Sequence, residues 1–203
     1  MYNYPMAIKQ ELEKYNSTYS AERLTAFAYS ATDKFDDIVN NYSNNIKIAQ
    51  AMYPELCVLE VILRNSIDNI LKKYISPTWI KDEVNNQGFL DNSEHSVLLK
   101  TYNDTVDECK YNSKIWNKKR CFYGVFPNYN GKMSINIIAK KLYNIRRLRN
   151  RIFHYEKIFK YPQRTLGLYN DILEILSYLP SDNLEILKQT TTFIKTYNEL
   201  TQK

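Results

Sequence analysis

"SINIIAKKLYNIRRLRNRIFH", residues 134–154, decides how this chain is read. On a helical wheel at ~100° per residue, Ile138, Leu142, Ile145, Leu148 and Ile152 fall on one continuous apolar stripe. That spacing predicts a long amphipathic helix from Ser134 to His154 or slightly beyond. One residue breaks the pattern. Arg149 lies inside the stripe, whereas Tyr143, Arg147, Asn150 and His154 share the opposite side. The arginines are therefore not one solvated face: three can reach water, and Arg149 is aimed at the core.

The same exercise on residues 54–74 gives a stripe of Leu56, Leu59, Leu63, Ile67, Ile70 and Tyr74. Glu60 sits in its middle, and Arg64 lies one turn further at its edge. Charges in such places are tolerated mainly when paired and hydrogen-bonded, and a guanidinium donates to a carboxylate bidentately. The two helices are therefore expected to pack together, with Glu60 meeting Arg149, Arg64 or both. Two readings stand open: a structural ion pair, or a carboxylate that holds Arg149 in a fixed pose beside a reaction centre.

Working outward, four glycines and six prolines interrupt 203 residues, and strict apolar–polar alternation is nowhere sustained. The dominant period is helical. A short helix is expected over 20–30, opened by Ser20, and a second over 32–51 with Thr32 as its cap. A third opens at Pro54, a good first-turn residue, and runs to about Tyr74, where Ser76-Pro77 stops it. A fourth spans 91–111. Residues 112–132 read as an irregular basic and aromatic loop punctuated by Gly124, Pro127 and Gly131. Helices over 163–178 and 182–200 complete the chain, the last capped by Ser181 or Asp182 with Glu185. With no internal repeat or low-complexity linker, residues 1–203 read as one all-α domain.

Hydrophobic and charged fractions of 44% and 25% are ordinary for a globular protein, and the length suffices to bury a core without staples. No run approaches a membrane span, and "MYNYPMAIKQELEKYN" lacks the pattern of a secretory signal; a cytoplasmic protein with no membrane partner is expected. Cys57, Cys109 and Cys121 are odd in number and far apart, so a disulfide framework is not expected. Each reads as a small buried hydrophobe. The net charge of +6 and pI near 9.0 lean toward a polyanionic partner. Eighteen tyrosines fit the codon bias of an AT-rich genome.

There is no phosphate-binding glycine loop, no dinucleotide fingerprint, no H-E-x-x-H and no zinc-finger spacing. Asp33/Asp36/Asp37 and Asp104/Asp107/Glu108 read as the wet faces of helices, so neither metal nor cofactor is expected. Of two histidines, His95 reads as a surface residue. His154 lies four residues after Asn150, which makes their side chains neighbours on a helix. Such a pair can fix a tautomer or orient a substrate group; a histidine near a helix end also simply favours the dipole.

Arg149-Asn150-x-x-x-His154 resembles the R-x(4–6)-H signature of HEPN domains, including the polar residue that commonly follows the arginine. "LRNRIFHYEKIF" resembles the corresponding segment of Abi-like (abortive infection D/F) proteins of bacterial phage defence. "YPELCVLEVILRNSIDNIL" resembles that family's first core helix, with E-x-x-x-R-N at Glu60, Arg64 and Asn65, and "SAERLTAF" its opening helix. The resemblance covers about residues 17–160; the C-terminal helices of about 163–200 carry no motif of it. Phe153 and Tyr155 depart from it, standing where the family often has small and histidine residues.

The resemblance implies a HEPN helical bundle and metal-independent cleavage of RNA, with Arg149, Asn150 and His154 as the catalytic set. It further implies a homodimer with a composite site, a toxin role, and restraint by an antitoxin that is a small RNA or a protein. Arg149 and His154 diverge by ~140° on an ideal helix, so two copies could converge what one presents apart. Arg147, Arg151, Tyr143, Lys118, Lys119 and Arg120, with Trp116 and Phe122 interleaved, are candidate RNA contacts; a solvated basic turn with inward aromatics is the competing reading of 116–122. A HEPN-fold module that binds RNA or protein without cleaving is the alternative function.

Overall fold

Residues 10–11, 13–15, 18–82, 119–180 and 184–202 are described by the structure, a computed structural model; they are helical, with no strand among them. The all-α class expected from the periodicity is what they adopt. α1 spans Ala21–Thr25, α2 Phe35–Tyr74, α3 Lys119–Val125, α4 Ile135–Phe153, α5 Pro162–Tyr178, α6 Leu184–Thr190 and α7 Phe193–Thr201.

Ser20 opens α1 as expected, its hydroxyl accepting the Arg23 amide at 3.2 Å. The helix stops at Thr25 rather than reaching residue 30. Asp33 then draws the following backbone round, its carboxylate accepting the amides of Tyr29 and Ser30. Thr32 does not cap the next helix; its hydroxyl pairs with that of Ser30. The opening comes from Asp37, whose carboxylate reaches back to the Lys34 amide at 2.9 Å, one half of a capping box. Two of the three acidic residues thus have structural work.

The expected break at Pro54 is absent: α2 is one helix of 40 residues with the proline inside it. A proline removes the bond to the carbonyl four residues back and costs about 3 kcal/mol. On either side of it Ile48, Ala51, Met52, Leu56, Leu59 and Leu63 are buried at helical spacing. Each of the larger side chains contributes about 1.5–3 kcal/mol by burial, so continuing the helix wins.

The chain divides into two compact units. The first holds Met1–Tyr53, Leu148–Gly167 and Thr191–Lys203; the second holds Pro54–Arg147 and Leu168–Thr190. In the first, Leu24, Phe27, Ala28 and Ile38 form a cluster against which Tyr29, Phe35 and Tyr42 pack. Burial, with Asp33 nearby, pushes the Tyr29 hydroxyl up to about 12, so it stays protonated. Asn45, 4% exposed, holds the chain after α4: its amide donates to the Glu156 carbonyl and its oxygen accepts Ile158 and Phe159 N–H at 2.7 and 3.1 Å. Phe159 meets Tyr197 edge to face, and Tyr197 stacks on Phe193. The expected helix over 182–200 is instead α6 and α7, parted at Thr191-Thr192. Three threonines run together there, stiff at χ1, and Thr190 returns its hydroxyl to the Ile186 carbonyl. The expected cap at 181–182 and the expected helix over 91–111 lie outside the described residues.

In the second unit, Ile138, Leu142 and Ile145 of α4 are buried, as are Leu56, Leu59, Leu63 and Ile67 of α2, while Ile70 and Tyr74 are half-buried. Part of the expected 112–132 loop is helix α3, because Cys121, Phe122 and Val125 bury one face of it. Gly124 does not punctuate; it is helical and lies so close to Ile70 that a Cβ would collide with it. Phe122, Phe126, Tyr129 and Tyr178 form an aromatic cluster, and Asn128 ties it to α5 through the Tyr178 and Leu179 carbonyls. Lys141 bridges Asp171 and Glu174. Tyr169 donates to the fully buried Glu55 at 3.4 Å. Of the cysteines within the described residues, Cys121 is buried as expected, but Cys57 is exposed.

Candidate functional site

Helix α4 ends in a reversal that no glycine marks. The Tyr155 amide donates to the Ile152 carbonyl at 3.1 Å and the Glu156 amide to the Arg151 carbonyl at 2.8 Å. These are the two bonds of a Schellman motif, whose turning residue takes the left-handed conformation. That residue is Tyr155, at φ 56°, where an L side chain costs about 1–2 kcal/mol. His154 is the residue at which the helix caps off, not a position on its wheel. The angle between Arg149 and His154 is accordingly set by the reversal. Arg151 clasps it from outside, bonding the Glu156 carboxylate at 3.2 Å and the Lys157 carbonyl.

Within this turn Arg149 is half-buried. Its guanidinium donates to the Asn150 side-chain oxygen at 3.3 Å and lies over the Phe153 ring, 4.6 Å from the centroid. Phe153 in turn meets Tyr53 edge to face at 5.9 Å. So Phe153, the departure noted above, positions Arg149 at i, i+4. The His154 amide bonds the Asn150 carbonyl, while its imidazole is exposed and has no partner among the described residues. The Asn150 side-chain oxygen thus faces Arg149, and its NH₂ remains for an acceptor.

Cations gather just beyond. Arg23 lies over the Tyr155 ring, and Lys157 and Lys160 over that of Tyr29. Burial, then the nearby charges of Lys160 and Arg151, pull the Lys157 ammonium below the usual lysine range. Beside the turn opens a cleft of about 370 Å³, lined by Tyr42, Asn45, Gln50, Tyr53, Ile152, Phe153, Tyr155 and Glu156 among others.

The remaining candidates are placed as follows. Glu60 pairs with Arg64 at 2.6 Å, one of the partners expected for it. Arg147 is exposed and lies over the half-buried Tyr143 ring at 5.7 Å. Lys119 and Arg120 are exposed, Arg120 lying over Tyr74 at 4.9 Å, and both belong to the second unit. Phe122, expected to reach bases, is fully buried instead, because it is the centre of the aromatic cluster. Lys118, Trp116 and His95 lie outside the described residues. Among those residues no group of three His, Cys, Asp or Glu side chains is placed to hold a metal, and no helix is long and apolar enough to cross a membrane.

Asn45, Gln50, Tyr53 and Tyr155 were missed as site residues. Tyrosines so abundant carry little positional signal, and Asn45 acts on residues 111 to 114 positions away. No family, no curated protein and no solved structure matches the chain.

Proposed function

We propose that this protein is a metal-independent endoribonuclease of the toxin type, with Arg149, Asn150 and His154 as its reacting set. The observation that carries the reading is the exposed His154 imidazole, without a structural partner among the described residues, in the same turn as a guanidinium already held by Asn150 and Phe153. Histidine titrates near neutrality and can take or give a proton there. A held guanidinium stabilises charge that develops on phosphoryl oxygens.

In the reaction, the 2′-hydroxyl oxygen of RNA attacks the adjacent phosphorus while His154 accepts its proton. The bond from phosphorus to the 5′ oxygen breaks, and that oxygen takes a proton from a second imidazole. The His154 of a second copy supplies it, which is the reason for proposing a homodimer. The products are a 2′,3′-cyclic phosphate and a 5′-hydroxyl. A role in phage defence, restraint by an antitoxin of RNA or protein, and cytoplasmic action belong to the same proposal.

The test is induced expression of wild type and His154→Ala in a bacterial host, with growth followed and RNA ends mapped. Growth arrest with new cyclic-phosphate ends in wild type only is expected, and those ends should also form in extracts containing a chelator. Equal arrest, or equal RNA ends, in the His154→Ala strain would refute the catalytic assignment. The second reading, a binding module that does not cleave, draws on the cleft beside the same turn.

A further inference from the structure

The cleft beside the α4 reversal lies wholly within the first unit, and none of Arg149, Asn150 and His154 lines it. One wall is a stripe of α2. Tyr42, Ile46, Ala49 and Tyr53 recur at i, i+4, i+7 and i+11, a spacing that puts them on one face of a helix. Ile152 and Phe153, from the last turn of α4, add to the apolar lining. The volume, about 370 Å³, falls in the range that takes small ligands.

One polar side chain of this lining is buried: Asn45, 4% exposed. A side-chain amide has two acceptor positions on its oxygen and two donors on its nitrogen. The Ile158 and Phe159 N–H groups take both acceptor positions, and one Nδ2–H goes to the Glu156 carbonyl at 3.2 Å. The second Nδ2–H has no partner among the described residues, so it is the one group this side chain can still offer the cleft. A buried donor left unmade is costly, and apolar surroundings strengthen the bond that does satisfy it. The site therefore asks for an acceptor.

The charged groups nearby already have neighbours. Glu156 bonds Arg151, Arg149 lies over Phe153 and against Asn150, and Arg23 lies over Tyr155. A ligand of either sign would find like charge beside it, whereas a neutral one finds none.

We propose that this cleft binds a small neutral molecule with fused aromatic rings and a carbonyl acceptor, its rings against Ala49 and Tyr53 and its oxygen taking the spare Nδ2–H of Asn45. The site is separate from the Arg149, Asn150 and His154 set and needs no nucleic acid, so it stands or falls apart from the RNA-cleavage reading.

The experiment titrates the full chain into three naphthalene probes whose emission responds to polarity. The first carries a dimethylamino group and a propionyl ketone, the second lacks the ketone, and the third has a carboxylate in its place. The ketone is expected to bind once per chain, about fivefold tighter than the ring without it, and tighter than the carboxylate. Ala49→Leu fills the cleft from a half-buried position and should weaken ketone binding about tenfold with the thermal midpoint little changed. Asn45→Asp keeps the oxygen that holds Ile158 and Phe159 and removes the donor, so in folded protein the advantage of the ketone should vanish. His154→Ala should leave all three affinities as they are.

Equal affinity of the wild type for the ketone and the bare ring would overturn the proposal, and this comparison decides even where Asn45→Asp does not fold. So would tightest binding of the carboxylate, a folded Ala49→Leu protein that binds as wild type does, or a folded Asn45→Asp protein that still prefers the ketone. Loss of binding in His154→Ala would merge the two sites and overturn it as well. Affinity that falls as the chain is concentrated, with matching self-association in sedimentation, would give the cleft to a second copy instead.

Discussion

Tyr155 should be a residue that glycine replaces without loss of stability and alanine does not. At φ 56° an L side chain pays about 1–2 kcal/mol that glycine does not. Glycine gives back roughly 0.4–1 kcal/mol through its freer unfolded chain. The ring is 67% exposed and the Arg23 guanidinium stands 5.9 Å from its centroid; such a contact contributes about 0.5 kcal/mol. Tyr155→Gly therefore comes out near neutral to about 0.5 kcal/mol more stable. Tyr155→Ala keeps the strain, loses the ring, and comes out about 0.5 kcal/mol less stable. The comparison to make is glycine against alanine by urea denaturation followed by circular dichroism, where glycine should lead by about 0.5–1 kcal/mol, or about 1–4 °C in Tm. At ordinary helix positions alanine leads by a similar margin. An alanine variant as stable as the glycine variant would refute the left-handed turn and the reversal built on it.

Three further outcomes follow from the packing. Asn45→Leu keeps the volume but strands the buried Ile158 and Phe159 amides, so unfolding free energy should drop by about 3 kcal/mol; a loss under 1 kcal/mol would mean these bonds do not hold the segment. Gly124→Ala should destabilise by about 1 kcal/mol through Ile70, yet be neutral or stabilising in an Ile70→Val background, a coupling that a double-mutant cycle reads. Hydrogen bonds from Lys141 and Tyr178 hold the Glu174 carboxyl below its usual value of 4.5. Its contribution is thus present above that pH and lost as pH falls through the lowered value. Burial opposes the Lys141 ammonium, but its bonds to Asp171 and Glu174 lift it above 10.5, so its contribution holds below that pH and fades above the raised value. Between those limits Glu174→Gln should cost about 0.5–1 kcal/mol, since the pair is partly exposed, and the gap to wild type should close in acid. A constant gap down to low pH would rule the bridge out as its cause.

How far the fold could be read depended on whether local pattern and burial agreed. All five stripe residues of α4 are buried, and Glu60 found a partner one turn away, because an amphipathic period is a direct record of what a helix hides. Pro54 and Gly124 misled for a shared reason. Their ordinary meaning is a local conformational cost of one to three kcal/mol, and a well-buried face on either side outweighs it. Nothing in residues 45 or 124 states what lies across the core. The α4 reversal was illegible for the opposite reason: its motif normally announces itself with glycine, and here a tyrosine carries it.

The crowded arginines can now be taken one at a time. Arg146 and Arg147 lie over the Tyr143 ring, Arg149 over Phe153 and against Asn150, and Arg151 across the reversal to Glu156 and the Lys157 carbonyl. Cations in the last turns also suit the negative end of the helix dipole. Each guanidinium thus has a structural occupation, and their number is no argument for chemistry. His154 is different. It caps the helix with its backbone alone, and any residue could supply that amide. An imidazole left over when the fold has been accounted for, at the end of the helix whose last turn holds the Arg149 guanidinium still, is where the catalytic reading has to be decided. That is why a single substitution, at 154 and not at any arginine, separates chemistry from scaffolding.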